Sequence, residues 1–214
     1  MEQQYVSYIR EQLHAVLGID SPSGCTEEVQ QYLCDTLRAM GYAPCRLVKG
    51  GMHVTLGGEG EPLTLLAHAD TLGAVVQYIK PNGRLAISNM TLNVHNAEAE
   101  NVKVITRFNG AYEGTLQLCN ASVHVKPDPN QERDLYQNMG IVLDYDVKTK
   151  EDVEKMGILP GDAIALEPRL RITETGYVKS RYLDDKASVV ALLTLAKWVS
   201  DNHIRLKRRV DMLF

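Results

Sequence analysis

His68 and Asp70 stand either side of Ala69 at the end of a short apolar run, Leu63-Thr64-Leu65-Leu66-Ala67. If extended backbone continues through them, their side chains share one face. A carboxylate beside one imidazole nitrogen fixes the tautomer and turns the other nitrogen toward a metal ion. The ends of parallel strands are also where open α/β sheets carry their sites. H-x-D suits a structural histidine equally well, so by itself it leaves both readings open. The other five histidines, His14, His53, His95, His124 and His203, are assigned to structural or surface positions.

A second candidate is Leu183-Asp184-Asp185-Lys186, where two adjacent carboxylates open a strongly apolar helix. Capping of the first helical N–H groups accounts for one of them. The other is left at a strand-to-helix corner, where a hard or borderline metal accepts an oxygen ligand. Other chemistries lack their motifs: there is no G-x-S-x-G elbow, no P-loop and no dinucleotide-binding glycine fingerprint. Gly57-Gly58-Glu59-Gly60 is glycine-rich, but it joins two β-like runs and opens no phosphate-binding helix.

The elements that must position these residues follow from periodicity. Tyr5, Ile9, Leu13, Val16 and Leu17 predict a helix closed by Gly18, followed by the turn Ser21-Pro22-Ser23-Gly24. Val29, Leu33 and Leu37 predict a second helix, from an N-cap at Thr26 to a stop at Gly41. Val54 and Leu56 mark one strand, and Leu63–Ala67 a second that is expected to be buried on both faces. From about Gly73 to Leu166 the texture is all β: AVVQYI, RLAIS, VKVITRF, GTLQLC, ASVHV and GIVLDY. Asn82-Gly83 is a hairpin signal, and one short helix falls near Glu151–Gly157. This segment is expected to be an inserted barrel or sandwich. The α/β texture then returns, with strand and turn over Tyr177–Leu183 and a long helix capped by Asp185. Its apolar side is Ala187, Val190, Leu193, Leu195, Ala196 and Val199. Arg205, Lys207, Arg208 and Arg209 are expected to form a solvated edge, and Val210–Phe214 a buried-type strand left as an uncovered edge of the sheet. Ending on Met-Leu-Phe is expected to be a cut. The domain expectation is 1–72 with 167–214 as an α/β lobe and 73–166 as the inserted β-domain.

Composition narrows the partners. Across 214 residues, 23 Lys and Arg oppose 27 Asp and Glu for a net charge of −4, which does not suit a nucleic-acid partner. No apolar run reaches the ~20 residues of a bilayer span, and no secretory signal opens the chain, so a cytoplasmic protein without membrane partners is expected. Cys25, Cys34, Cys45 and Cys119 are widely spaced and expected to be reduced.

Four segments, in order, resemble the M42 family of co-catalytic metallo-aminopeptidases, the glutamyl- or deblocking-aminopeptidase-like proteins. They are Ser21-Pro22-Ser23-Gly24; His68-Ala69-Asp70-Thr71-Leu72-Gly73; Leu135-Tyr136 onward through Gly157-Ile158-Leu159-Pro160-Gly161-Asp162; and Lys179-Ser180-Arg181-Tyr182-Leu183-Asp184-Asp185-Lys186. The resemblance covers nearly the whole chain. It implies a mixed-sheet α/β zinc-peptidase lobe, incomplete here, with an inserted all-β barrel-like domain. By resemblance, His68 ligates one of two divalent cations, zinc or cobalt, and Asp184 bridges both. Asp70 joins the catalytic set as the carboxylate behind His68, and Asp185 helps hold the corner. The implied activity is removal of N-terminal residues from peptides through a two-metal activated water. The implied assembly is a homo-oligomer. The family's adjacent glutamates, one of them the general base, are expected just after Phe214, with a further Asp and His later. The 214-residue chain by itself is therefore expected to be inactive. Thr71 departs from the family, many of whose members carry an acidic residue there, and this leaves substrate preference open. Two alternatives stand beside this reading. Proteins resembling the family are sometimes labelled endoglucanases, although adjacent Asp184 and Asp185 offer no cleft between carboxyl groups ~5–9.5 Å apart. The other alternative is a non-catalytic binding or assembly module.

Overall fold

The computed structural model describes residues 3–89, 92, 96–120, 122, 124–125 and 133–214. In chain order the elements are α1 (Gln3–Gly18), α2 (Glu27–Ala39), β1 (Cys45–Arg46), β2 (Met52–Gly57), β3 (Leu63–Leu66), β4 (Gly73–Ile79), β5 (Leu85–Asn89), β6 (Glu100–Ile105), β7 (Ala111–Leu118), β8 (Met139–Leu143), α3 (Lys150–Lys155), β9 (Ala163–Leu166), β10 (Arg171–Ile172), β11 (Val178–Lys179), α4 (Leu183–Asp201) and β12 (Val210–Leu213). His95 lies outside the described residues, as do Ala121 and Val123 of the ASVHV run; Ser122, His124 and Val125 of that run are not in a strand. The chain forms two compact units. One takes the chain up to Thr71 and from Pro168 onward, and the other takes Leu72–Glu167.

The first unit is a mixed α/β lobe on a four-stranded sheet of order β1-β2-β12-β3, with β12 antiparallel to β2 and parallel to β3. Its core joins Leu13, Val16 and Leu17 of α1 to Val29, Leu33 and Leu37 of α2, to Met52, Val54 and Met212 of the sheet, and to Val189, Val190, Leu193 and Ala196 of α4. These are the positions that helical and alternating periodicity predict, because one face of each element must leave water. Three expectations need correction. The last strand is not an edge: β12 is paired on both sides, with Met212 fully buried. Among the described residues the edges are β1 and β3, and β3 is not buried on both faces. Leu63 is 45% and Leu66 70% exposed, while Leu65 packs against the core. An apolar run records the chemistry of a strand and not the number of its neighbours. On α4, Ala187 is exposed and Val189 buried, because the buried face runs through Lys186, Val189, Val190, Leu193 and Ala196 at three- and four-residue spacing.

The basic stretch is only partly a solvated edge. Arg208 Nε donates to the carbonyl of Glu61 (2.9 Å), and Arg209 pairs with Asp211 through Nη2 and Oδ2 (3.0 Å). Gly58 belongs at that crossing. Its φ is +81°, and a Cβ there would collide with the Arg208 carbonyl.

The second unit is a closed barrel of six antiparallel strands in the order β4-β5-β8-β7-β6-β9. Alternation builds it: Val102 and Val104 of β6 are buried while Lys103 between them is exposed. Lys80–Arg84 makes the β4–β5 hairpin turn, with Gly83 at φ +77°. Gly114 sits where β7 and β8 approach, and a Cβ there would lie 2.6 Å from the Val142 carbonyl.

Candidate metal centre

β3 ends at Leu66, and the chain leaves it through Ala67 into His68-Ala69-Asp70-Thr71. This exit is held by the turn after α1. Ser21 Oγ donates to the Ala69 carbonyl (2.8 Å), Thr71 N–H to the Ser21 carbonyl (2.8 Å) and Ser23 N–H to the Thr71 carbonyl (3.1 Å). Ser23 Oγ also donates to Asp70 Oδ2 (2.5 Å). His68 Nδ1 lies 3.1 Å from Asp70 Oδ1 and 3.2 Å from the Asp70 carbonyl. Both of these are acceptors, so the neutral ring carries its proton on Nδ1 and leaves a lone pair on Nε2.

The second half of the site comes from the corner before α4. Tyr182 has φ +66°, Asp184 and Asp185 depart from helical dihedrals, and the peptide between them is cis. The corner brings Asp184 Oδ1 to 3.3 Å from His68 Nε2, across 116 positions of sequence. Asp185 Oδ2 accepts from the His68 backbone N–H (3.4 Å). Lys186 is fully buried, and its Nζ donates to the carbonyls of Val16 (2.8 Å) and Ile19 (2.6 Å) at the end of α1. Burial lowers the Lys186 pKa to about 8, with Asp20 pulling the other way. Asp184 thus reaches His68 from the corner that opens α4.

A lone pair on Nε2 opposite an ionised carboxylate oxygen is repulsive unless a cation lies between them. A proton is one such cation. Burial lowers the His68 pKa, but the hydrogen bond to Asp184 and the charge and hydrogen bonds of Asp70 outweigh it and raise it overall. A divalent metal ion is another. Two ligand atoms on one tetrahedral zinc, each ~2.0–2.2 Å from it, lie about 3.3–3.6 Å apart. The separation of Nε2 and Oδ1 fits that edge, and Asp184 is 97% exposed, which leaves its second oxygen accessible. His68 and Asp184 therefore suit a metal. Asp70 does not share their side: one of its oxygens faces Nδ1 and the other takes the Ser23 hydroxyl. Accordingly, among the described residues no group of three or more His, Cys, Asp or Glu side chains is arranged to hold a metal ion. A cavity of about 920 Å³ adjoins His68 and Asp185, lined among others by Gly24, Thr26, Lys49, Asp70 and Phe214.

Spacing singled out His68, Asp70 and Asp184 as candidates, the family resemblance gave them roles, and both missed two supports. Ser23 was named only within the turn Ser21-Pro22-Ser23-Gly24, and Lys186 only within the segment around Asp184 and Asp185, neither with a role. The signal for Lys186 was its place at a buried helical position, where a charge needs partners.

Residues 50–212 match the family described as M42 glutamyl aminopeptidase. The chain belongs to this family. It is 38% identical over 199 residues to the Bacillus subtilis protein YhfE, whose name provisionally assigns it as an aminopeptidase. That match covers 92% of this chain and 58% of YhfE. The fold is also that of an aminopeptidase from the archaeon Desulfurococcus kamchatkensis, with a TM-score of 0.84 at 20% identity, covering 99% of this chain and 56% of that one. A Pyrococcus horikoshii TET1 peptidase, described as assembling into a tetrahedron or a large octahedral shell, gives a TM-score of 0.82 at 22% identity. It is covered over 96% of this chain and 60% of its own. The M42 chain described here thus spans a little over half the length of these relatives. Among its described residues, no helix is long and apolar enough to cross a membrane.

Proposed function

We propose that this M42 chain belongs to a metal-dependent aminopeptidase that removes N-terminal residues from peptides. The observation that carries the reading is the meeting of His68 Nε2 and Asp184 Oδ1, two acceptors 3.3 Å apart with the far side of the ring tied to Asp70. In this reading His68 and Asp184 would hold the divalent cations, and Asp70 fixes the ring tautomer. The cations, zinc or cobalt, would supply Lewis acidity toward a scissile carbonyl and lower the pKa of a shared water. Asp185 restrains the backbone of His68 from the opposite segment, and Lys186 anchors the corner that carries Asp184. Adjacent Asp184 and Asp185 sit on one corner rather than across a sugar-binding cleft, which supports a peptidase over a glycosidase.

The reading concerns a subunit of the relatives' full length, of which these 214 residues contribute two donors. Two donors leave most positions of two cations to water, and a general base commonly contributes ~10²–10⁴-fold in rate. We propose that the 214-residue chain alone has background activity, that the full-length subunit is active, and that it self-associates as the TET1 peptidase does. The test is turnover of aminoacyl-anilides and of carboxymethylcellulose by the 214-residue chain and its full-length counterpart, each with Zn²⁺ or Co²⁺ and with chelator. Chelator-sensitive anilide turnover by the full-length protein, reduced at least a hundredfold by His68→Ala or Asp184→Ala, is the expected result. Cellulose hydrolysis without anilide turnover overturns the reading. Turnover by the shorter chain within tenfold of the longer places the base within these residues.

A further inference from the structure

We propose that Ser23 is a positioning residue for the metal centre, acting on His68 through Asp70. The proposal deepens the metallopeptidase reading and rests on it for its functional meaning. A half-exposed carboxylate turns readily about its last torsion, and water competes for both its oxygens. Asp70 is such a group, with a side chain 40% exposed. Its Oδ1 can keep facing His68 Nδ1 only if Oδ2 is held, and the group that holds it is the Ser23 hydroxyl.

That hydroxyl is itself fixed from both directions. Ser23 is not a free surface serine: its N–H donates to the Thr71 carbonyl, Pro22 and Thr71 form a parallel bridge, and Cys25 N–H closes the turn on the Pro22 carbonyl (2.7 Å). Upstream, Lys186 Nζ grips the Val16 and Ile19 carbonyls just before the turn. Segment 16–25 is therefore fastened at one end to the corner bearing Asp184 and at the other to the strand exit bearing His68. It acts as a strap whose length sets how the two donors meet, and Ser23 is its only side-chain hydroxyl with a hydrogen bond to the Asp70 carboxylate. A Ser23 that merely filled space would leave the His68 tautomer unchanged. A Ser23 that orients Asp70 shifts it, with the Asp70 carbonyl at 3.2 Å left as the second acceptor for Nδ1.

The experiment uses the 214-residue chain with ¹⁵N-labelled histidine, as wild type, Ser23→Ala and Ser23→Thr. Ring nitrogen shifts of His68 are read in metal-free protein at a pH well above the imidazole range, and Co²⁺ affinity is read by visible absorption. Ser23→Ala is expected to lower the Nδ1–H fraction of His68 and weaken Co²⁺ binding about tenfold or more. Ser23→Thr, which keeps the hydroxyl, is expected to restore both to within about twofold. An unchanged tautomer in Ser23→Ala overturns the proposal. So does an equal loss in Ala and Thr variants that tracks a drop in melting temperature, since that is a structural role alone. His68→Ala serves as the separate control: if it binds Co²⁺ as tightly as wild type, the metallopeptidase reading fails, while the tautomer measurement still decides the role of Ser23.

Discussion

The barrel and the α/β lobe differ in where their irregular backbone lies. In the barrel every strand has two neighbours, so the sheet closes on itself and leaves no edge. Among the described residues, β5 meets β8 at the register pair of Leu85 and Ile141. The lobe has an ordinary sheet, but the polar side chains of the candidate site stand on three irregular segments: the turn after α1, the exit of β3 and the corner before α4. Hydrogen bonds between those segments substitute for the repeating ladder that holds the barrel. Regular pairing makes a stable wall, whereas chemistry here needs carboxylates and an imidazole held at angles that neither helix nor strand provides.

The largest expected effects come from deleting matched core volume in each unit. Leu33 of the lobe and Ile141 of the barrel are both fully buried. Changing either to Ala removes comparable apolar contact and should destabilise the protein by about 2–5 kcal/mol. If the two units are independent domains, Leu33→Ala should release amide protection at Val54 and Met212 and leave Val104 and Ile164 protected. Ile141→Ala should do the reverse. Hydrogen exchange followed by NMR separates these patterns. Equal loss in both units from either substitution would show one cooperative body and dissolve the comparison.

The two units were unequally legible in sequence, for the same physical reason. Alternation in VKVITRF and GTLQLC and the Asn82-Gly83 turn are local signals, and barrel strands follow from them directly. Strand β9 was less visible, because Ala163–Leu166 is too short to show a period. In the lobe the helices were legible and the site only in part. His68 and Asp70 are two residues apart, so their contact could be anticipated. The bond from Ser23 to Asp70 spans 47 positions and that from Lys186 to Val16 spans 170, and no local pattern encodes either. The family resemblance linked His68 to Asp184. Periodicity alone left each of them ambiguous.

A middle-sized effect should appear in acid, and mainly in the lobe. Asp211 on β12 accepts from Thr55 Oγ1 (2.7 Å) and Arg209 Nε (3.1 Å), with His53 Nε2 at 3.4 Å. The Thr55 hydroxyl first and then Arg209 hold its pKa down to about 2; desolvation opposes them, and His53 adds a lesser lowering. A pKa lowered on folding gives stability that is fully present above the unfolded value of 3.8 and fades as pH falls through about 2. The barrel's comparable carboxylate is Asp152. The Lys148 N–H and the Thr149 side chain, followed by the Thr149 N–H and Lys155, lower its pKa at the exposed cap of α3. Denaturant midpoints of wild type and Asp211→Asn, measured from neutral pH down to about pH 2, should differ most at the top of this range and converge at the bottom. Parallel curves would mean that Asp211 does not carry the lobe's acid sensitivity.

The smallest effect on stability, and the most direct probe of the contrast between closed and open sheets, is expected at β3. Leu66 is 70% exposed on a strand that pairs with β12 alone among the described residues. A flat apolar edge is a template for another strand, and a lysine on such an edge opposes pairing because its ammonium must stay hydrated. The side chain is mostly in solvent already, so Leu66→Lys removes little buried area and should change unfolding free energy by no more than about 0.5 kcal/mol. Self-association is a different quantity, governed by the edge itself. Sedimentation of the 214-residue chain over a range of concentrations should show reversible association in wild type that weakens in Leu66→Lys. A matched substitution in the barrel, Phe108→Lys at an 82% exposed side chain outside any strand, should leave the association unchanged. If Phe108→Lys dissolves the assembly and Leu66→Lys does not, the barrel's surface and not the lobe's open edge is what brings chains together.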